Sequence, residues 1–394
     1  MDFNQALIVF SLLVFLAVLF SKISARYGIP SLLFFILLGI LAGQDGLLKI
    51  SFNDYNLVQF LGIISLTFIL FMGGLSVNTK EIKPVFKEGV MLATLGVLLT
   101  GVIFSYLIYK FSNLNMQSSM LLGAIISSTD AAAVFGILRS KNINLCCNLK
   151  SLLEFESGSN DPMAAFLTFC VINLIKNEVA FSNLFLNFIY QMTFGIILGY
   201  VLAKIFVFLI NKIKLEYESL YVVLSFSYVL FCYSFCESLK INGFIVVYTL
   251  GLSLAHFEFI NKKMLIKFHD ALAWSFQIVM FITLGLLINF IEGLKFLKIA
   301  GISFLILTFI ARPIAVFIID YFSKRNLKEK IFISWIGLRG AAPVVLATFP
   351  LKYNVYFAHE IFNIVFFLVI ISIFIQGSLI SPLAKFLKLD KKNL

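Results

Sequence analysis

Thirteen apolar runs, most close to the length that crosses a bilayer, dominate this 394-residue chain. They fall at 6–20, 30–43, 56–73, 89–110, 116–138, 149–175, 184–210, 219–236, 242–256, 271–290, 296–319, 331–349 and 361–384. A transmembrane helix needs about 20 apolar residues, and the shorter runs can borrow interfacial residues from their flanks. Within lipid every backbone N–H and C=O must be paired inside the protein, which leaves helices or closed barrels. The runs do not alternate apolar and polar residues, so helices are expected. Only 13% of residues are charged, against roughly 25% in a soluble domain. The predicted fold class is an all-α polytopic membrane protein.

Charge sets the orientation. Asp2 precedes the first run, and Lys22 and Arg26 follow it. That is the reverse of a signal peptide, so the run reads as a retained span with the N-terminus outside. Thirteen spans then put 21 of the 31 Lys and Arg on the cytoplasmic side and 7 outside. Lys204, Arg312 and Arg339 remain inside spans. This is the positive-inside pattern, repeated connection by connection. The net charge of +11 is therefore topological and calls for no nucleic-acid partner. No soluble regulatory domain is expected, and the C-terminus is expected in the cytoplasm. Lys204, late in span 7, is expected to snorkel to the cytoplasmic interface.

Cys146 and Cys147 share a short loop, while Cys170, Cys232 and Cys236 lie in spans. They read as free packing cysteines. His256, His269 and His359 are scattered and read as lying outside the apolar cores. No metal cluster or cofactor is expected.

Two spans are interrupted in mid-membrane. Span 5 contains Ser127-Ser128-Thr129-Asp130 followed by Ala131-Ala132-Ala133, and span 12 contains Gly337-Leu338-Arg339-Gly340 followed by Ala341-Ala342-Pro343. They lie seven apart in the count, so spans 1–6 and 8–13 would form an inverted repeat joined by span 7. Interrupted helices in matching positions point to a transporter site. At such a crossing Asp130 can neutralise the positive half-helix ends and Arg339 the negative ones. The Thr129 carbonyl would be offered to a cation. A plain Gly/Pro kink in span 12 would not need Arg339, which is costly at that depth.

Span 6 contains Glu154-Phe155-Glu156-Ser157-Gly158-Ser159-Asn160-Asp161-Pro162. Intramembrane ionisable residues usually line polar pathways, although buried acids can also fix helix packing. Ser157 and Asp161 share a helix face, as do Glu156 and Asn160. Glu154, seven before Asp161, lies close to the same face. Glu156 is expected to pair with Arg339 or Arg312, leaving Asp161 without a permanent partner. Such a carboxylate can hold a proton or a cation but not both, which is the physical core of an antiporter. An intramembrane aspartyl protease would need two equivalent carboxylates sharing a proton, and here the neighbour of Asp161 is Asn160. The chain therefore reads as no enzyme. A cation channel, or a sodium-coupled anion symporter using Arg339 and half-helix N-termini, is the alternative within the same fold.

The stretches Ser128–Phe135, Glu156–Ala164 and Gly337–Val344, with Gly73-Gly74-Leu75, resemble the monovalent cation:proton antiporter-1 family (NhaP-like), and its cell-volume-regulation potassium/proton branch in particular. The resemblance covers essentially the whole chain. It implies thirteen helices, a homodimer in the bacterial inner membrane, and elevator-type alternating access. Dimer-type helices would occupy about 1–73 and 219–290, ion-transport core helices about 89–175 and 296–384, and a linker helix 184–210. The implied partners are Na⁺ or K⁺, H⁺ and membrane lipid. Asp161, Asn160, Ser157, Thr129 and Asp130 would form the cation and proton site, with Glu156, Arg339, Arg312 and Glu154 as structural charges. The Asn160-Asp161 pair resembles the electroneutral type. Met72 stands where many members carry an acid, and members of the potassium branch often carry a cytoplasmic regulatory tail, which is not expected here.

Overall fold

The computed structural model describes residues 3–27, 30–52, 54–130, 134–135, 137–138, 141, 143–176, 181–322 and 325–390. Helices follow the apolar runs in order. They are α1 (Phe3–Tyr27), α2 (Ser31–Ala42), α3 (Tyr55–Leu75), α4 (Lys80–Phe111), α5 (Met116–Ile126), α6 (Leu149–Ile175) and α7 (Phe181–Lys212). After them come α8 (Glu218–Ser238), α9 (Gly243–His256), α10 (Lys262–Leu287), α11 (Phe290–Ile319), α12 (Leu327–Trp335), α13 (Ala341–Lys352) and α14 (Ala358–Phe386). Among the described residues eight of these are long and apolar enough to cross a membrane, and α2, α5, α9 and α13 are shorter apolar helices. The molecule is an integral membrane protein. The expected span at 116–138 leaves the helix after Ile126, and Ala131, Ala132 and Ala133 lie outside the described residues.

Local chemistry sets several helix starts. The Asn115 side chain accepts from the Ser118 N–H at 2.7 Å and opens α5. Asn242 and Asn326 do the same for α9 and α12. Each satisfies amides that a helix start leaves unpaired. α4 and α11 each contain one π-helical turn, at Leu92–Gly96 and Leu307–Ala311. Such turns frequently mark functional sites. They fall in spans 4 and 11, seven apart, and so match the expected repeat.

α3 packs along α9 and α10, α2 along α10, and α7 along α9. α4 packs on α5, α5 on α6, and α11 on α14. At the α3–α9 crossing a Cβ on Gly74 would lie 2.4 Å from the Tyr248 carbonyl oxygen, and one on Gly251 would lie 2.2 Å from that of Phe71. The two backbones touch there, and no larger residue fits. Apolar side chains of α1 and α7, among them Phe15 and Leu186, face outward, as lipid-facing helices should.

His269 does not lie outside the apolar cores, as its position before the run at 271–290 suggests it should. His269 is buried, hydrogen-bonded to Ser225 Oγ at 3.0 Å and enclosed by Phe68, Phe71 and Phe268. α10 begins at Lys262, earlier than the apolar run suggests, so His269 is carried into the α3–α8–α10 contact. Lys262, Lys263, Lys267, His269 and Asp270 delay the apolar run without delaying the helix. Lys204 is exposed, and its ammonium rests 4.7 Å from the ring centre of Tyr200, one turn earlier on the same helix.

The start of α6, the start of α4 and the end of α11 meet in a charged knot. Arg325 pairs with Glu88 and, at 2.9 Å, with Glu329. It also donates to the Cys147 carbonyl at 3.2 Å. Asp320, just beyond α11, is buried beside Glu88, with Arg325 and Lys330 nearby. Burial pushes its carboxyl up to about 7; the charge and hydrogen bond of Glu88 add to this, and Arg325 and Lys330 oppose it. The folded protein thus holds a proton here that an unfolded Asp, with a pKa of about 3.9, has already lost. By linkage this stability is full below about pH 3.9 and is lost as pH rises to about 7. Asp320→Asn should therefore flatten the fall in Tm of the purified protein across that window relative to the parent. Parallel Tm curves would refute the assignment.

Candidate functional site

α6 carries Ser157, Asn160 and Asp161 at spacings that share one face. That face meets the non-helical Ser127–Asp130 segment beyond α5. Asn160 is fully buried and holds Thr129 twice. Its Oδ1 accepts from the Thr129 N–H at 3.3 Å, and its Nδ2 donates to Thr129 Oγ1 at 2.6 Å. Ser157 Oγ donates to the Thr129 carbonyl at 2.8 Å. A carbonyl oxygen has two lone pairs, so Thr129 retains one acceptor position. Pro162 has no N–H to give to the Gly158 carbonyl one turn earlier, which releases another acceptor on this helix.

The two interrupted spans touch through their backbones: the Asp130 N–H donates to the Leu338 carbonyl at 2.7 Å. Gly340 precedes α13, and a Cβ there would lie 1.8 Å from Asp130 Oδ2. The Asp130 carboxylate thus sits against the N-terminal end of α13. Arg339 Nη1 donates to the Ser127 carbonyl at 3.2 Å and to that of Ser128, which capture the C-terminal end of α5. Acid meets the positive helix end and base the negative one, as the macrodipole favours. The Arg339 N–H donates to Ser372 Oγ at 3.0 Å. Ser372 in turn donates to Gln376 at 2.5 Å, and Gln376 reaches the Trp335 carbonyl at 3.0 Å. α14 therefore braces the break from behind.

Glu156 pairs with Arg312 at 2.5 Å, both almost fully buried. Of the two partners open to Glu156, the structure selects Arg312; Arg339 goes to the carbonyls instead. Asp161 lies beside Asp130, Ser128 and Arg339. Its Oδ1 is buried and has no hydrogen-bond partner among the described residues. Buried polar atoms are almost always paired, so this oxygen is available to a ligand. Glu154 is in a different environment. Its side chain is 34% exposed and meets Lys150, one turn earlier, at 3.8 Å.

Several site residues carried no recognisable signal in the sequence. Tyr248 of α9 contacts Ser159 Oγ through its hydroxyl at 3.1 Å, and its ring lies where a Cβ on Gly158 would be. Ser372 and Gln376 sit in an otherwise apolar helix at a spacing that many packing residues share. Met72 is partly buried against the apolar core near the α3–α9 crossing.

The profile of the family described as "Sodium/hydrogen exchanger, transmembrane" matches residues 10–386. The chain is 37% identical over 392 residues to a protein of Alkalimonas amylolytica named K(+)/H(+) antiporter NhaP, covering 98% of this chain and 67% of the relative. It is 36% identical over 393 residues to K(+)/H(+) antiporter NhaP2 of Shewanella baltica strain OS223, with the same coverage. The fold matches the sodium proton antiporter MjNhaP1 of Methanocaldococcus jannaschii at pH 8. That match has a TM-score of 0.83 and 25% identity, and covers 96% of this chain and 100% of that one. Broken spans crossing at a buried Asn160 with Asp161 beside it, on a chain whose residues 10–386 match the family profile, lead to one assignment: the chain belongs to the transmembrane sodium/hydrogen exchanger family.

Proposed function

We propose that the protein exchanges a monovalent cation, Na⁺ or K⁺, for H⁺ by alternating access, with proton and cation competing for Asp161. The relatives' names as cation/proton antiporters support the reaction class. The observation that carries the site is the buried, unpartnered Oδ1 of Asp161 beside a break held open by Asn160 and Arg339. Cation ligands would be Asp161, Ser157 and the Thr129 carbonyl. Asn160 and Asp130 hold the segment in place. Glu156 and Arg312 neutralise each other within the core, so the transported charge is that of one carboxylate. One titrating carboxylate carries one charge per half-cycle, which makes the exchange electroneutral.

Helices at about 89–175 and 296–384 form the moving core in this reading. Those at about 1–73 and 219–290 form a static homodimer scaffold, and 184–210 links the two. The grouping is supported by α2, α3, α9 and α10 packing together and by α4, α5, α6, α11 and α14 packing among themselves. Alternation of basic connections supports an inner-membrane protein with N-terminus out and C-terminus in.

The test is cation-evoked proton movement in proteoliposomes loaded with a pH dye. Na⁺, K⁺ and Li⁺ pulses are compared with and without clamped voltage. The expected result is a pH change evoked by Na⁺ or K⁺ and insensitive to the clamp. No pH change with any cation, from folded protein, would overturn the exchange reading and favour a channel or anion-coupled carrier.

A further inference from the structure

Cys146 and Cys147 are consecutive in the loop that feeds α6, and their sulfurs are 3.0 Å apart. Cys146 is buried and Cys147 exposed. Cys147 and Asn148 both have left-handed backbone, at φ 60° and 55°, so the loop turns sharply and presents the second thiol outward. Three connections tie this turn to the rest of the core. The Cys146 N–H donates to the Leu389 carbonyl at 2.9 Å. The Asn144 N–H donates to Asp390 Oδ1 at 3.2 Å. The Cys147 carbonyl accepts from Arg325 Nη1, the guanidinium that also holds Glu88 and Glu329. Asp161 lies on the helix that this loop starts, about 18 Å further along at 1.5 Å per residue.

We propose that Cys146 and Cys147 form a redox-responsive dithiol, closed to a disulfide by a low-molecular-weight disulfide, and that closure releases Arg325 from the loop. The exposed Cys147 thiolate attacks one sulfur of the reagent. Its S–S bond breaks, one thiol leaves, and Cys147 carries the mixed disulfide. Cys146 then loses its proton to solvent, and its thiolate attacks Cys147 Sγ. The second thiol leaves and the Cys146–Cys147 bond forms. One reagent disulfide is reduced to two thiols as the two protein thiols are oxidised. Burial pushes the Cys146 thiol up to about 11, reinforced by Cys147 and Glu329, so Cys147 is the first attacker and Cys146 the resolving thiol. Contact between the sulfurs compensates for the scarcity of the Cys146 thiolate.

Closure has a structural consequence. Consecutive Cα atoms across a trans peptide are about 3.8 Å apart, less than the usual 4.4–6.8 Å for bridged cysteines. A bridge therefore closes a tight ring across that peptide, to which the φ and ψ angles on either side must adjust, and the carbonyl that follows, that of Cys147, is the one that holds Arg325. The knot around Arg325 joins the loop before α6, the start of α4 and the start of α12, so its loosening reaches the helix of the ion site.

Purified full-length protein in nanodiscs, treated with oxidised glutathione, tests this. The tryptic peptide 142–150 contains both cysteines. It is expected to lose two hydrogens and resist alkylation until reduced. Tryptic cleavage of the folded protein after Arg325 is expected to accelerate on oxidation and slow again on reduction. Cys146→Ser should stop at the mixed disulfide on Cys147, Cys147→Ser should leave Cys146 unmodified, and neither should show faster cleavage. Separate capping of both thiols without a bridge, or a bridge with unchanged cleavage, would overturn the proposal. In proteoliposomes the same treatment should slow exchange reversibly. That last readout rests on the exchange reading, whereas mass and cleavage do not, so a failure of either is distinguishable.

Discussion

Proteoliposomes carrying Asp161→Asn are expected to give no more cation-evoked proton movement than empty vesicles, while the protein stays folded. The side chain keeps its size and loses only its ability to exchange a proton for a cation. Asp161 makes no direct ion pair of the kind that joins Glu156 to Arg312, and the neighbouring Arg339 keeps its hydrogen bonds to the Ser127 and Ser128 carbonyls, so the fold is expected to survive the neutralisation. Asp161→Glu keeps the charge but moves it by one methylene and should retain part of the activity. Exchange retained in Asp161→Asn at the parental rate would remove Asp161 from the site. Unaltered thermal stability of the same preparation is the control, since a structural carboxylate would lower both together.

The second large effect is on stability. Glu156→Gln or Arg312→Ala should each destabilise the protein by about 3–5 kcal/mol, because removing one partner leaves an uncompensated buried charge. The pair is 2.5 Å apart, with side-chain exposures of 1% for Glu156 and 2% for Arg312, so water cannot solvate the survivor. Low yield and a depressed Tm in detergent are the expected readouts. The double variant Glu156→Gln with Arg312→Gln should recover part of the loss, with a coupling of about 0.5–3 kcal/mol. Strictly additive losses in the cycle would show that the two residues act separately. Arg339→Ala should be damaging for a different reason. It removes the donor that holds the Ser127 and Ser128 carbonyls, and no neutralising change at Glu156 should rescue it.

These two predictions separate charge that moves from charge that holds. Asp130 and Arg339 balance helix ends, Glu156 and Arg312 balance each other, and Asp161 is the carboxylate that the proposed exchange assigns to the transported ion. An antiporter core needs this division, because a cation bound by permanent ion pairs could not be released.

The helical architecture was legible in the chain because each span depends on its own length and apolarity, and these are local properties. The alternation of Lys and Arg in the connections, on which the proposed orientation rests, is local in the same way. The two interrupted spans and the Ser157, Asn160 and Asp161 face were also readable, since Gly, Pro and charge at membrane depth have few other uses. Partner choice was not. Glu156 and Arg312 are 156 residues apart, and nothing along the chain distinguishes Arg312 from Arg339 as its partner. The crossing of the broken helices decides it, by giving Arg339 two carbonyls first. The burial of His269, the reach of Tyr248 to Ser159, and the meeting of Cys147 with Arg325 and of Cys146 with Leu389 likewise follow from how helices pack. The sequence by itself determined which segments cross the membrane and which polar residues go with them. Only the tertiary structure decided which of those charges neutralise one another and that Asp161 Oδ1 stays without a hydrogen-bond partner among the described residues, because pairing energy depends on distances that packing alone sets.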